Sequence, residues 1–263
     1  MNALRLPAFA LSMIAATLAW GGQACTEFKP APDTVRKALV LAHKVHASLE
    51  QSGAEVALVA RVGQDVSKYK LRYSHLGFAW RDHPNGRWTI THLLNHCGTA
   101  DSGIYAEGLG NFFLDDLFAY EALAFVPGKD LQQQIVRALA SERPLALHGL
   151  PYNMLAYAFS TRYQNSNQWA LEVLAAASAR DAPVGSRQQA QAWLKLAGYE
   201  PITIEISAMA RLGGRMFRAN IAFDDHPFDR RMAGQIDTVT VESIVRFLER
   251  RDAEHKKFVV RLE

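Results

Sequence analysis

Two short segments hold residue types that can carry chemistry. The first is Arg72-Tyr73-Ser74-His75-Leu76-Gly77-Phe78, with a histidine near the start of a strand. An imidazole can take or give a proton near neutral pH. The second is Tyr163-Gln164-Asn165-Ser166-Asn167-Gln168-Trp169, a polar cluster that opens an apolar helix. Taken singly, each also has a plain structural role. His75 can be a half-buried polar residue on a strand. Asn165 is a good N-cap, and Gln168 three residues on resembles a capping box, which leaves Ser166 as a first-turn residue. Other constellations are weaker. His92 and His96 stand four apart, a spacing that serves a metal on a helix and not on the strand expected here. Asp224-Asp225-His226-Pro227-Phe228-Asp229 reads as a hydrophilic loop, short of the regularly spaced oxygens that calcium needs. Gly108 and Gly110 make no nucleotide-binding fingerprint, and Gly213-Gly214 reads as a helix stop. No cofactor and no metal is implied.

The elements that must position these residues follow from periodicity. Residues 33–49 predict a helix whose inner stripe is Val35, Leu39, Ala42, Val45 and Leu49, capped by Asp33 and stopped at Ser52-Gly53. Residues 55–62 read as a buried strand. Runs 73–81 and 88–94 are strand-like and flank Asp82-His83-Pro84-Asn85-Gly86, so they predict a hairpin. The segment 99–116 is mixed, and 122–126 reads as a strand broken by Pro127-Gly128. Helices are expected at 130–140, 167–179, 186–196 and 240–251, with a helical turn at 208–212. Strands are expected at 202–206 and 258–262. No repeat or linker divides the chain, so a single α+β domain over residues 25–263 is the economical reading: an antiparallel sheet with helices packed on it.

The chain has 263 residues, 49% apolar and 21% charged, as in a soluble globular protein with a sizeable core. Its start reads as an export signal. A short segment carrying Arg5 precedes an apolar run, 6–20, and Gly22 and Ala24 are small residues where a signal peptidase reads. Cleavage is expected just before Cys25, releasing a periplasmic or secreted protein with no membrane span in the mature chain. The net charge of +3 includes Arg5, and no dense basic tract appears, which argues against nucleic acid as a partner. Cys25 and Cys97 are the only cysteines. In an oxidising compartment such a pair reads as one disulfide, contributing about 4 kcal/mol in the chain-entropy picture. Bonded cysteines cannot serve as nucleophiles.

Together, the Tyr-Ser-His-Leu-Gly-Phe strand and the Tyr-Gln-Asn-Ser-Asn-Gln-Trp helix resemble the signatures of a bacterial family labelled domain of unknown function 2145. The resemblance extends to Cys25, the Trp88 to Cys97 run and Asp225-His226-Pro227. That family in turn is similar to circularly permuted NlpC/P60 proteins of the papain-like superfold. Those carry a strand histidine early in the chain and a nucleophilic cysteine later, at the start of a helix. The resemblance implies a permuted papain-like arrangement with His75 as the base and Ser166 in the nucleophile position. A third polar residue would orient the histidine: His92, with Asn95 or His96 as alternatives. A helix N-terminus offers free N–H groups and partial positive charge to a nucleophile and to an oxyanion. Serine departs from the pattern, because a hydroxyl does not ionise near neutrality and needs a general base. Two functions are therefore expected as alternatives. One is an envelope hydrolase or acyltransferase acting on an amide or ester, with cell-wall peptide as the substrate class. The other is a non-catalytic envelope binding module that keeps the groove and has lost the chemistry.

Overall fold

The computed structural model describes residues 29–180 and 182–262. The expected signal segment and Cys25 lie outside the described residues, and so does the cysteine pairing that depends on Cys25. The architecture is α+β. An antiparallel six-stranded sheet has helices on both faces. Its centre is β1 (Val56–Val62), whose seven residues are all buried. A strand covered on both faces needs no polar alternation, which is why Val-Ala-Leu-Val-Ala-Arg-Val is an almost unbroken apolar run. On one side of β1 lie β2 (His75–Trp80), β3 (Thr89–Asn95) and β4 (Ser102–Gly108). On the other lie β5 (Ala119–Val126) and β8 (Lys256–Arg261), giving the order β4-β3-β2-β1-β5-β8.

One face of the sheet is covered by α1 (Pro32–Ser52) and α2 (Leu109–Phe113). The α1 stripe is Ala38, Leu41, Ala42, Val45 and Leu49; Val35 is half-buried at its edge, and Leu39 does not lie on it and is half exposed. Gly53 ends α1 with φ +69° and donates its N–H to Glu50 O, as a left-handed cap does. The opposite face carries α5 (Ser166–Ser178), with α3 (Lys129–Leu139), α4 (Arg143–Ala146), α6 (Arg187–Leu196) and α9 (Val241–Arg251) around it. Every residue of α5 from Ser166 to Ala177 is buried. A helix enclosed on all sides carries only a weak amphipathic period. Trp169, fully buried with its ring edge against Phe78 of β2, locks α5 to the sheet. Each such side chain contributes about 1.5–3 kcal/mol of burial.

A two-stranded sheet of β6 (Ile202–Glu205) and β7 (Gln235–Thr238) carries α7 (Ala208–Phe217) and α8 (Phe228–Met232) over a small cluster of Ile204, Ile206, Ile221, Phe223 and Ile236. The glycine pair 213–214 does not stop α7. A Cβ on Gly214 would stand 3.3 Å from Ile221, so the bare backbone is what lets this helix settle on the cluster. The expected loop at 224–229 gives way to α8 from Phe228, and the mixed segment 99–116 resolves into β4 and α2.

Candidate functional site

The hairpin brings His75 to His92. In the β2–β3 register Phe78 faces Thr91 and Ala79 faces Ile90, with Gly86 at φ +132° in the turn. Gly77 lies against β3: a Cβ there would fall 2.5 Å from Ile90 Cγ2 and 3.0 Å from His92 Cβ. The missing side chain leaves room for the two rings to meet. His75 Nε2 is 2.8 Å from His92 Nδ1, with the rings edge to face. Phe112 of α2 packs against both. Beyond His92, Glu107 Oε1 of β4 stands 3.1 Å from Nε2, at ion-pair distance but out of line for a good hydrogen bond. Arg61, opposite His75 on β1, lays its guanidinium over Phe112 and donates to Phe112 O and to Asp115 Oδ2.

These surroundings keep both imidazoles neutral at pH 7. Burial drives the His75 pKa well below 6.5, and the charge of Arg61 and the neighbouring His92 act in the same direction. Burial also lowers that of His92, against the opposing pull of Glu107. A carboxylate beside His92 Nε2 favours the proton on that nitrogen. Nδ1 of His92 is then an acceptor for His75 Nε2–H, and His75 Nδ1 keeps its lone pair. The relay thus presents a base. Of the three candidates for the orienting role, His92 is the one in contact with His75. Asn95 instead donates to Thr99 O and Asp101 O and accepts from Asn220, and His96 packs on Tyr105.

Ser166 opens α5. Asn165 caps the helix as expected, its Oδ1 accepting from Gln168 N at 2.7 Å. The capping box does not form, because the Gln168 side chain donates to the carbonyls of Tyr157, Ala158 and Ser160. Asn165 Nδ2 donates to Thr238 Oγ1, which ties the cap to β7. Below it, the buried Glu172 carboxylate accepts from Arg187, Gln164 and Gln191. Arg187 also donates to the carbonyls of Ser160, Thr161 and Tyr163, so this network holds the segment that leads into Ser166. The Tyr152 hydroxyl stands 3.5 Å from Ser166 Oγ, and burial raises its pKa so that it stays a donor.

The serine and the histidine are neighbours around the end of the sheet. Asn167, next to Ser166, donates to the carbonyl of Ser74, next to His75. His75 and Ser166 line one cavity of about 440 Å³, along with Arg61, Tyr152, Asn167 and Arg218. Yet β2 alternation turns His75 toward Phe112 on the α2 face, whereas α5 packs on the opposite face with Leu76 and Phe78. Among the described residues no hydrogen bond joins Ser166 to His75. Glu107, Tyr152 and Arg61 were not foreseen, and Asn167 stood in the polar cluster with no role of its own. For Glu107 the only signal was an acid in a glycine-broken segment, and Tyr152 lies outside every segment that periodicity marked.

Fold and site define a class: an α+β protein with a buried histidine pair and a helix-borne serine opening onto one cavity. The chain matches, over residues 48–248, the model of the domain of unknown function 2145 family, described as an uncharacterized protein conserved in bacteria, and it belongs to that family. No curated protein matches it, and no solved structure does.

Proposed function

We propose that this protein is an exported acyl-transfer enzyme of the bacterial envelope, a hydrolase or acyltransferase of permuted papain-like type acting on an amide or ester. The observation that carries this reading is the His75–His92 pair, backed by Glu107, opening onto the cavity that holds Ser166 at a helix N-terminus. Ser166 Oγ attacks the carbonyl carbon while its proton passes to His75 Nδ1. His92 holds the ring. Tyr152 and the first-turn N–H groups of α5 receive the oxyanion. The C–N or C–O bond then breaks, and the leaving group takes the proton from His75. Water, or an acceptor amine or alcohol, releases the acyl group from Ser166 by the reverse sequence. Contact between Ser166 and His75 tightens on substrate binding, as catalytic contacts often do. Cell-wall peptide is the substrate class, by likeness to permuted NlpC/P60 proteins. Turnover of cell-wall peptides or activated esters should vanish in Ser166→Ala; undiminished turnover there would remove the mechanism.

The lack of a hydrogen bond between Ser166 and His75 favours a second reading, a binding module that retains the groove alone. It predicts no turnover by the wild-type protein on either substrate class. In Ser166→Cys, a thiol-reactive probe should then label position 166 faster than a surface cysteine, since helix end and base survive.

A further inference from the structure

Helix α7 lies on the protein with no buried residue among those whose side chains are described. Two glycines in its interior disfavour helix by about 1 kcal/mol each relative to alanine. Its only described capping contact at the N-terminus is Ser207 Oγ, accepting from Ala210 N. Such a helix gains little from its own fold. Its outer face is apolar: Met209, Leu212 and Met216 fall on one side at helical spacing and are 78%, 55% and 66% exposed. Nearby α8 exposes Phe228 and Met232, one turn apart, at 65% and 61%. The two helices meet at Phe223, whose ring adjoins Gly214 and whose carbonyl accepts from Arg231.

The charges around these side chains are mainly positive. The segment 208–232 contains Arg211, Arg215, Arg218, Arg230 and Arg231 and no lysine or glutamate. Its acids are Asp224, Asp225 and Asp229. Asp224 pairs with Arg162 and Arg215, Arg230 is held by Asp237, and the Asp225 side chain is buried, accepting from Tyr157 N; among the described residues Arg211, Arg218 and Arg231 have no carboxylate partner. α7 itself carries two arginines and no acid. An exposed face of methionine, leucine and phenylalanine flanked by arginines matches the boundary of an anionic bilayer. There the apolar side chains enter the acyl region and the guanidinium groups meet phosphate.

We propose that α7 and α8 dock this protein on a membrane surface rich in anionic lipid. Arg218, Ala219 and Asn220, which follow α7 directly, line the cavity of Ser166 and His75. Docking would therefore set the cavity mouth at the interface, where it meets membrane-anchored substrates or ligands. The docking claim stands apart from the catalytic reading, because binding to lipid is measured with no substrate present.

The test is co-sedimentation of the processed protein, recovered from the periplasm, with vesicles of phosphatidylcholine alone and of phosphatidylcholine mixed with phosphatidylglycerol. Binding is expected to the mixed vesicles and not to the neutral ones, and to weaken with salt. The combined Met209→Ser, Leu212→Ser and Met216→Ser variant should partition about tenfold less or weaker still, with an unchanged circular dichroism spectrum. Met209→Asp alone should show a smaller loss, and it serves if the triple variant does not fold. Absence of binding to mixed vesicles overturns the proposal. So does equal binding by the wild type and Met209→Asp, since the contact would then come from elsewhere. Equal binding to neutral and mixed vesicles overturns the role of the arginines and with it the proposal.

Discussion

Replacing His75 by Gln should flatten the dependence of stability on mildly acidic pH. His75 is held neutral by burial, by Arg61 and by His92, with a pKa well below its ordinary 6.5. In the unfolded chain it titrates at its ordinary value. Below pH 6.5 the unfolded state therefore binds a proton that the folded state refuses. This group's contribution is complete above pH 6.5 and is lost as pH falls toward the folded pKa. The slope is at most about 1.4 kcal/mol per pH unit. From pH 6.5 to about pH 5 that amounts to a loss of at most about 1.7 kcal/mol, since the slope at pH 6.5 is only half its limit. Glu50 and Glu121, lowered to about 2 with arginine partners, lose their stabilising effect further down the scale, and His83 and His148, also lowered by burial, titrate in both proteins and cancel in the comparison. Urea unfolding at several pH values measures the effect. The wild type should lose more than His75→Gln across the window, by up to about 1.7 kcal/mol, whatever their difference at neutral pH. Parallel curves would refute the buried neutral imidazole and the base assigned to it.

Three other outcomes follow from the same contacts. Arg187→Met removes five hydrogen bonds and leaves Glu172 buried without its cation. It should cost about 3–5 kcal/mol, lowering the melting temperature by roughly 2–4 °C per kcal/mol. Adding Glu172→Gln should recover part of the loss; no recovery would mean that the stranded charge was not its source. Gly77→Ala drives a methyl into Ile90 and His92 and should cost about 1–3 kcal/mol in chemical denaturation; an unchanged midpoint would show that the hairpin yields there. In protein recovered from the periplasm, mass spectrometry after alkylation without reductant should find a chain that begins at Cys25 with both cysteines blocked. Two alkylated thiols would remove the disulfide.

Much of the site was legible because local rules decide it. A turn-rich pentapeptide between two apolar runs makes a hairpin, and a histidine on each arm of it can meet across a glycine. Asn165 before an apolar run marks a helix start whatever packs above it. Where local and tertiary demands part company, the reading failed. Leu39 has helical spacing with Ala42, yet the face that meets the sheet runs through Ala38 and Leu41 and leaves Leu39 half exposed. Gly213-Gly214 stops an isolated helix, but α7 continues, and Gly214 allows close contact with Ile221.

The sequence by itself determined the β2–β3 hairpin, the capped start of α5 and the residues gathered at each. Spacings of two and of 3.6 residues, turn chemistry and capping are all set by near neighbours in the chain. Only the tertiary structure decided which groups from distant segments complete the site. Glu107 stands behind His92 through the pairing of β4 with β3, and Arg61 stands opposite His75 through the pairing of β1 with β2. Tyr152 reaches Ser166 because the loop bearing it is pinned by Asn153 to Ala222. It also decided that Ser166 and His75 approach around the end of the sheet from opposite faces. Strand alternation sets the face of each side chain relative to its neighbours, but the helix that covers each face is chosen by the packing of the whole core.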